Sequence, residues 1–456
     1  MIIALPLAIL WIGAVCLALL DGTRKPVGWT AVTLLAAATV ATVVLGVDVY
    51  QDGTRAVTAG GWMPGIGITF RIDVLSIVFA VLSQFVLLAA LAFEVSQGVR
   101  ARVLPALTMF MATGLTGLFF TGDAFNFYVF FEISMISAYI MTGYGENPRQ
   151  FRAAFTFTAV NLLGSVFFLI GIAALYHNTG WLDMDRIGQQ MPLVAENPAI
   201  LSATIIFVAF SIKLGLFPFH FWLPAVYTGT RGAVAAMLSG GLANIGTYGI
   251  MRFGADIFPR ELEEGSKVLL LLGSCSIIYG AMQALSRHTP NEVLAYSSIG
   301  QVGYILVAIA IGGPVGFAAA ILYAVVNSLN KTLLFLSASV RGLLVGAAFA
   351  VGAFSVAGVP PVGGFIGKLA LFRASVNDED AWLTALLFVG GALSFIYMFQ
   401  LYRRRYWIPE NGESSPLAAQ VVVAIVAIAI IAVGIWPQPL IELSDRAALV
   451  IPGVLP

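Results

Sequence analysis

Four charged side chains stand inside long apolar runs of this 456-residue sequence: Glu132, Lys213, Lys331 and Lys368. A lysine near the middle of a membrane-spanning helix costs roughly 2.5–3.5 kcal/mol on insertion scales, so each is a functional-site candidate by default. The chemistry available to such groups is proton transfer. Desolvation disfavours the charged form of lysine and of carboxylate alike, and an approaching opposite charge restores it. A Glu–Lys pair therefore takes up or releases a proton when a neighbouring charge moves. The plainer use is a static buried ion pair that fixes helix packing. Glu132 lies in FNFYVFFEISMISAYIM, Lys213 in IIFVAFSIKLGLFPFHFW, Lys331 in YAVVNSLNKTLLFLS, and Lys368 just after the Pro-Pro-Val-Gly-Gly of AGVPPVGGFIGK.

Neutral polar residues lie between them in the sequence: Asn161, Asn244, Ser297, Ser298, Gln301, Asn327 and Asn330. Asn327 stands four residues before Lys331 and so on the same helix face. Together these groups offer a hydrated route between the charges; singly, each is explained by an interhelical hydrogen bond of about 0.6 kcal/mol. His220 follows Pro218 in FPFHFWLP. It either relays protons or donates a hydrogen bond to a carbonyl freed where proline breaks the helix. Asp123, in TGDAFNF, is read as a helix N-cap, and Arg403–Arg405 as anchors at anionic lipid headgroups. The sequence has no HExxH, CxxC, Walker or GxSxG pattern, and GWMPGIG lacks a Rossmann context, so neither a metal nor a cofactor is expected. Cys16 and Cys275 fall in separate apolar runs, which argues against a metal cluster or a disulfide.

The elements that hold these residues are membrane helices. The chain is 59% hydrophobic and 10% charged, with mean hydropathy +0.94; soluble domains carry about 25% charged residues. A net charge of zero offers no basic face to nucleic acid. Runs long enough to span a bilayer number about fourteen: 2–20, 28–47, 69–93, 102–120, 124–143, 151–176, 199–220, 229–253, 266–285, 293–312, 315–339, 343–374, 382–402 and 417–436. The first is expected to be a transmembrane helix, since it lacks the basic start and small-residue cleavage site of a signal peptide. Connections after odd-numbered spans hold twelve Lys/Arg; those after even-numbered spans hold seven, Arg252 among them, together with acids such as Glu261, Glu263, Glu264, Asp378, Glu379 and Asp380. The bias places odd connections in the cytoplasm and both termini outside. Prolines interrupt the seventh and twelfth spans, each the fourth member of a five-helix unit. The expected fold is an all-α polytopic membrane protein with two inverted five-helix repeats, a pattern that puts a transport path at the repeat interface. The segments are 1–101 (helices 1–3), 102–253 (first repeat), 266–402 (second repeat) and 403–456 (helix 14 and tail).

TGDAFNFYVFFE, KLGLFPFHFWLPA, AYSSIGQVGYI, NKTLLFL and AGVPPVGGFIGK resemble the proton-translocating antiporter-like subunits shared by respiratory complex I, membrane-bound hydrogenases and multisubunit Mrp Na⁺/H⁺ antiporters. The helix-five phrase and the run into WLDMDRIG are most similar to the Mrp branch of that group. The resemblance implies a proton-translocating subunit of a Na⁺/H⁺ antiporter in a bacterial cytoplasmic membrane, with H⁺ and Na⁺ as substrates, other membrane subunits as partners and no redox site of its own. An antiporter-like subunit of complex I or a hydrogenase is the nearest alternative, and a non-conducting structural subunit is one of another class. By the same resemblance Glu132, Lys213, Lys331 and Lys368 are the proton-transfer residues. Asn244, Gln301 and Asn327 replace groups that are often titratable in the family, leaving them, with Ser298 and His220, as a neutral supporting path. The family also has a longer polar segment between helices eleven and twelve, so a further loop is expected between Gly342 and Leu343.

Overall fold

In the computed structural model the described residues are 2–63, 65–144, 148–377, 380–407 and 415–451. Asp378, Glu379 and the last residues of the 403–456 segment lie outside them. Twenty α-helices follow in chain order: α1 (Leu5–Ala18), α2 (Lys25–Asp52), α3 (Val74–Gln97), α4 (Leu104–Phe120), α5 (Ala124–Gly143), α6 (Pro148–Thr179), α7 (Met184–Gln190), α8 (Glu196–Leu214), α9 (Trp222–Gly229), α10 (Gly232–Ala236), α11 (Asn244–Asp256), α12 (Pro259–Glu264), α13 (Ser266–Ser286), α14 (Pro290–Ile311), α15 (Gly313–Ala338), α16 (Leu343–Ala357), α17 (Gly363–Asn377), α18 (Ala381–Tyr402), α19 (Leu417–Ile435) and α20 (Gln438–Leu449). Eleven spans are long and apolar enough to cross a membrane, and the shorter apolar helices α1, α4 and α16 bring the crossings among the described residues to the expected fourteen.

The seventh crossing is α8 followed by α9, and the twelfth is α16 followed by α17. Both first halves end on a glycine in the left-handed region, Gly215 at φ 63° and Gly358 at φ 80°, which a residue with a Cβ adopts only at a cost. Pro218 and Pro360–Pro361 then follow, and proline cannot continue the helical hydrogen-bond ladder. The eighth crossing contains a π-helical turn, Met237–Leu242, between α10 and α11. Ala243 N donates five residues back to Leu238 O at 3.0 Å. Such turns occur mostly as single insertions in α-helices, frequently at functional sites.

α15 is the axis of the molecule. It is buried along its whole apolar length and packs against α3, α10, α14, α16, α17, α19 and α20. The twelfth crossing packs directly on this helix, and the seventh reaches it through the Tyr227 ring of α9 against Phe335.

Two expectations need correction. The stretch 69–93 is not one span: Thr69–Ile72 (β2) pairs antiparallel with Arg55–Thr58 (β1), and α3 begins at Val74. Asp73 is left at the mouth, capping α3 by accepting from Ser76 N at 2.9 Å. The polar segment expected between helices eleven and twelve is also absent. Gly342 (φ 152°) stands directly before α16, and its carbonyl accepts from Gly346 N at 3.0 Å. Four residues, 339–342, make the connection; Arg341 N donates to Ser415 Oγ at 3.2 Å, and the last of the four is a glycine in a conformation open to few other residues.

The end of the molecule that holds the β-ribbon carries a buried charge network. Arg252, expected in a connection, is in α11 with its side chain only 3% exposed. Its Nη2 donates to both Asp73 carboxylate oxygens at 2.7 Å, its Nη1 to Asp256 at 3.2 Å and its Nε to Tyr248 Oη at 3.1 Å. Arg71 on β2 bridges Asp256 and Asp185. Burial alone would push the Asp73 carboxyl up, but the charges of Arg252 and Arg71 outweigh it and hold the group below the ordinary carboxylate range. Asp123 caps α5 as expected, accepting from Asn126 N at 2.7 Å. Burial, reinforced by the Asp183 carboxylate, pushes the Asp123 carboxyl above its usual value against the backbone hydrogen bonds it accepts.

Candidate functional site: a buried lysine track

Lys213 occupies the last turn of α8, one residue before the helix stops. Its ammonium does not contact a carboxylate. It donates to the main-chain carbonyl of Asn161 at 2.6 Å and to Ser165 Oγ at 3.1 Å, both on α6, and lies 4.3 Å from the centre of the Phe131 ring. Glu132, the next residue on α5, is the acidic group whose charge acts on Lys213. Among the described residues no ion pair includes Glu132, and its Oε1 is buried without a partner. The two groups are electrostatic neighbours and not a closed salt bridge.

A cavity of about 10 Å³ adjoins Lys213, lined also by Asn161, Trp222, Tyr227, Leu242, Ala243 and Ile245; that is about the room one water needs. It leads toward the π-helical turn, where Asn244 Nδ2 donates to Gly240 O, a carbonyl of that turn, at 2.9 Å. Asn244 Oδ1 accepts from Ser328 Oγ on α15 at 3.1 Å. Lys331, one turn along α15 and fully buried, donates to Ser297 Oγ on α14 at 2.9 Å and, more weakly, to Leu294 O at 3.5 Å. Lys368, past the second break, donates to Ala357 O at 3.1 Å. That carbonyl ends α16, where the helix dipole favours a cation.

The supporting residues divide. Asn244 and Gln301 join the track; Gln301 donates to Tyr397 Oη at 3.2 Å and accepts from Tyr323 Oη. Ser298 bonds Leu294 O of its own helix, and its neighbour Ser297 makes the contact with Lys331 instead. Asn327 Oδ1 is buried without a partner. His220 does not hold a freed carbonyl: its Nδ1 is unpartnered, and its ring stacks on Phe217 and against Tyr279. Trp222 and Ser276 support the break. Trp222 Nε1 donates to Ile212 O at 3.0 Å, and Ser276 Oγ accepts from Phe217 N at 3.0 Å. Trp222→Phe keeps an aromatic ring and removes one of the two donors to Ile212 O, Gly215 N remaining as the other, so it should cost about 0.5–1.5 kcal/mol, read as a lower melting temperature of the purified protein.

Relatives of known kind share both the sequence pattern and this architecture. Residues 121–394 match the family described as NADH:quinone oxidoreductase/Mrp antiporter, TM. The chain belongs to this family. Among its curated members, a Na(+)/H(+) antiporter subunit of type D from Alkalihalophilus pseudofirmus is 29% identical over 432 residues, covering 89% of this chain and 87% of its own. The putative antiporter subunit mnhD2 of Staphylococcus aureus is 27% identical over 428 residues, covering 88% and 86%. A chain of the Mrp complex from Dietzia sp. superposes with a TM-score of 0.89 at 25% identity, covering 99% of this chain and 97% of that one. A chain of an archaeal membrane-bound sulfane sulfur reductase gives 0.91 at 25% identity with the same coverage. A chain of respiratory complex I from Thermus thermophilus gives 0.85 at 22% identity, covering 99% and 100%, and shares the fold.

Within this family fold, sequence reasoning missed the hydroxyls of α15 and α18. Ser328, Tyr323, Ser394 and Tyr397 look like ordinary core or interfacial residues, and only Ser394 and Tyr397 carry a signal, three residues apart after the Gly390-Gly391 pair.

Proposed function

We propose that this chain is the proton-conducting subunit of a multisubunit Na⁺/H⁺ antiporter in a bacterial cytoplasmic membrane. The observation that carries this reading is the track itself: three buried lysines, Lys213, Lys331 and Lys368, two of them at the broken crossings, with the Asn244–Ser328 and Lys331–Ser297 hydrogen bonds on the helices between them. A cation in an apolar interior is retained where it works, and the named relatives are antiporter subunits. A proton exchanges at Glu132 and Lys213, passes Asn244 to Lys331 and leaves by Lys368. The subunit moves ions and has no redox chemistry of its own. Its partners are the other membrane subunits of the complex, and H⁺ and Na⁺ are exchanged by the assembly.

The two conducting units are 102–253 and 266–402, with 1–101 and 403–456 flanking them, and both termini lie outside. A cysteine placed at position 341 should then react with an impermeant maleimide only from the cytoplasmic face, and one at position 260 only from outside. The opposite pattern would reverse the orientation.

Glu132→Ala or Lys213→Ala, in the assembled complex reconstituted in vesicles, should abolish Na⁺-dependent proton exchange followed with a pH-sensitive dye. Retained exchange would overturn the proposal. The close superposition on a respiratory reductase chain favours one second reading, in which redox partners power the proton movement. Iron–sulfur or flavin subunits in the purified complex would establish it.

A further inference from the structure

Between Lys331 and Lys368 the hydrogen bonds run through hydroxyl groups. Lys331 Nζ donates to Ser297 Oγ at 2.9 Å. Ser297 Oγ lies 3.1 Å from Tyr397 Oη. Tyr397 Oη donates to Ser394 Oγ at 3.2 Å, and Ser394 Oγ donates to Gly390 O at 2.8 Å. Gln301 Nε2 also donates to Tyr397 Oη, at 3.2 Å. A phenol has one hydrogen to give. Tyr397 gives it to Ser394, so at both its other contacts it accepts, and Ser297 is the donor toward it. Every donor from Lys331 to Ser394 points the same way.

The chain stops beside an unused group. Tyr304 Oη is fully buried and has no hydrogen-bond partner. It lies so close to Gly390 that a Cβ there would collide with it. Ser394 already bonds the carbonyl of that same glycine. The far side of Tyr304 meets the last lysine, with Lys368 Nζ 5.4 Å from the ring centre. The next glycine, Gly391, lies near that ammonium: a Cβ there would be 3.6 Å from Nζ. The glycine pair on α18 thus lets a phenol and an ammonium approach one helix from α14 and α17.

We propose that Ser297, Tyr397, Ser394 and Tyr304 form a hydroxyl relay that carries the proton from Lys331 to Lys368, with the Ser394 hydroxyl as its switch. This rests on the proton-conducting reading above. When the Ser394 hydroxyl turns from Gly390 O to Tyr304 Oη, the row of donors reaches Tyr304, and it reaches Lys368 when Nζ swings from Ala357 O and the face of the Tyr304 ring to the phenol oxygen. Lys331 then gives a proton to Ser297, each hydroxyl breaks its own O–H bond as it forms a new one, and Tyr304 gives its hydrogen to the neutral amine of Lys368. One ammonium becomes an amine and one amine an ammonium; no electrons move and no other atom changes place. Every hydroxyl is left pointing backward, so the row must rotate before a second proton follows. Gln301 is a positioning residue: its amide fixes which way Tyr397 points and gives up no proton itself.

The test uses the assembled complex in vesicles and a pH-sensitive dye. Tyr397→Phe and Ser394→Ala should each lower Na⁺-driven proton exchange about 100-fold, the scale of a positioned proton transfer, with the KM for Na⁺ unmoved. Ser394→Thr keeps a hydroxyl and should recover most of the lost rate, which a packing role would not predict because threonine is larger. If Tyr397→Phe fails to assemble, the Ser394 pair decides alone, since its hydroxyl otherwise bonds only within its own helix. Exchange near the unmodified rate in Ser394→Ala, with Lys331→Met inactive, overturns the relay and leaves the proton-conducting reading standing. Undiminished exchange in Lys331→Met as well overturns both.

Discussion

Lys331→Met should abolish Na⁺-driven proton exchange, a fall of at least about 100-fold, while the complex should assemble and melt no earlier than the unmodified one. Both halves follow from where Lys331 sits. It is fully buried on the central helix α15, and its partners are a hydroxyl and a carbonyl rather than a carboxylate. An ammonium there is paid for in desolvation with no opposite charge in contact. Methionine matches the volume and removes the charge, and replacing buried charge by apolar side chains of similar size is neutral or stabilising by about 1–4 kcal/mol. Ser297 keeps Tyr397 as a partner, so no polar group is stranded. Lost transport together with equal or greater heat stability separates a working charge from a structural one. A variant that transports normally would make Lys331 a packing residue, and one that falls apart would show that its hydrogen bonds hold α14 to α15.

The second large effect is on stability. Arg252→Leu should cost about 3–5 kcal/mol, because it leaves the Asp73 carboxylate buried without its main counter-charge; Asp73 is 0% exposed and Arg252 approaches both of its oxygens. Removing both partners, in Asp73→Leu/Arg252→Leu, should cost less than Arg252→Leu alone, since no uncompensated charge is left behind. Thermal melts of the purified protein distinguish the two orders. The same pair sets an acid limit. The folded Asp73 carboxyl is held below its unfolded value of about 3.9. Its stabilisation is therefore fully present above that value and is lost as pH falls through the lower folded one. The melting temperature of the unmodified protein should drop over that interval more steeply than that of Asp73→Asn.

The fourteen crossings and their two breaks were legible because apolar runs, glycines and prolines act locally. The lysines were legible for the same reason, each a single charge against an apolar background. Arg252 was not, because it sits near the end of an apolar run, where a charge normally faces water; only Asp73, 179 positions away, makes it a buried residue. Glu132 and Lys213 were recognised as neighbours, but not that α6 would hold the ammonium through a main-chain carbonyl, which no side-chain pattern reports. Tyr397 and Tyr304 escaped because a tyrosine in a membrane helix reads first as bulk, and its hydroxyl acquires meaning only from helices far away in the chain. The helix-eleven to helix-twelve connection went the other way: the resemblance suggested a longer loop, and four residues, 339–342, make the connection.

The break after α16 has a consequence for how charge is stored. Lys368 rests against Ala357 O, a carbonyl at the buried C-terminal end of a helix. A carboxylate counter-ion can itself be protonated, so a site built on one goes silent when it fills. A terminal carbonyl does not titrate, and the partial negative charge at a helix end persists whatever the lysine does. Lys368 therefore discharges into a field that remains in place and recharges in the same field. In electrical terms the helix end is a fixed bias on the last storage node of the track, set by the backbone and indifferent to pH.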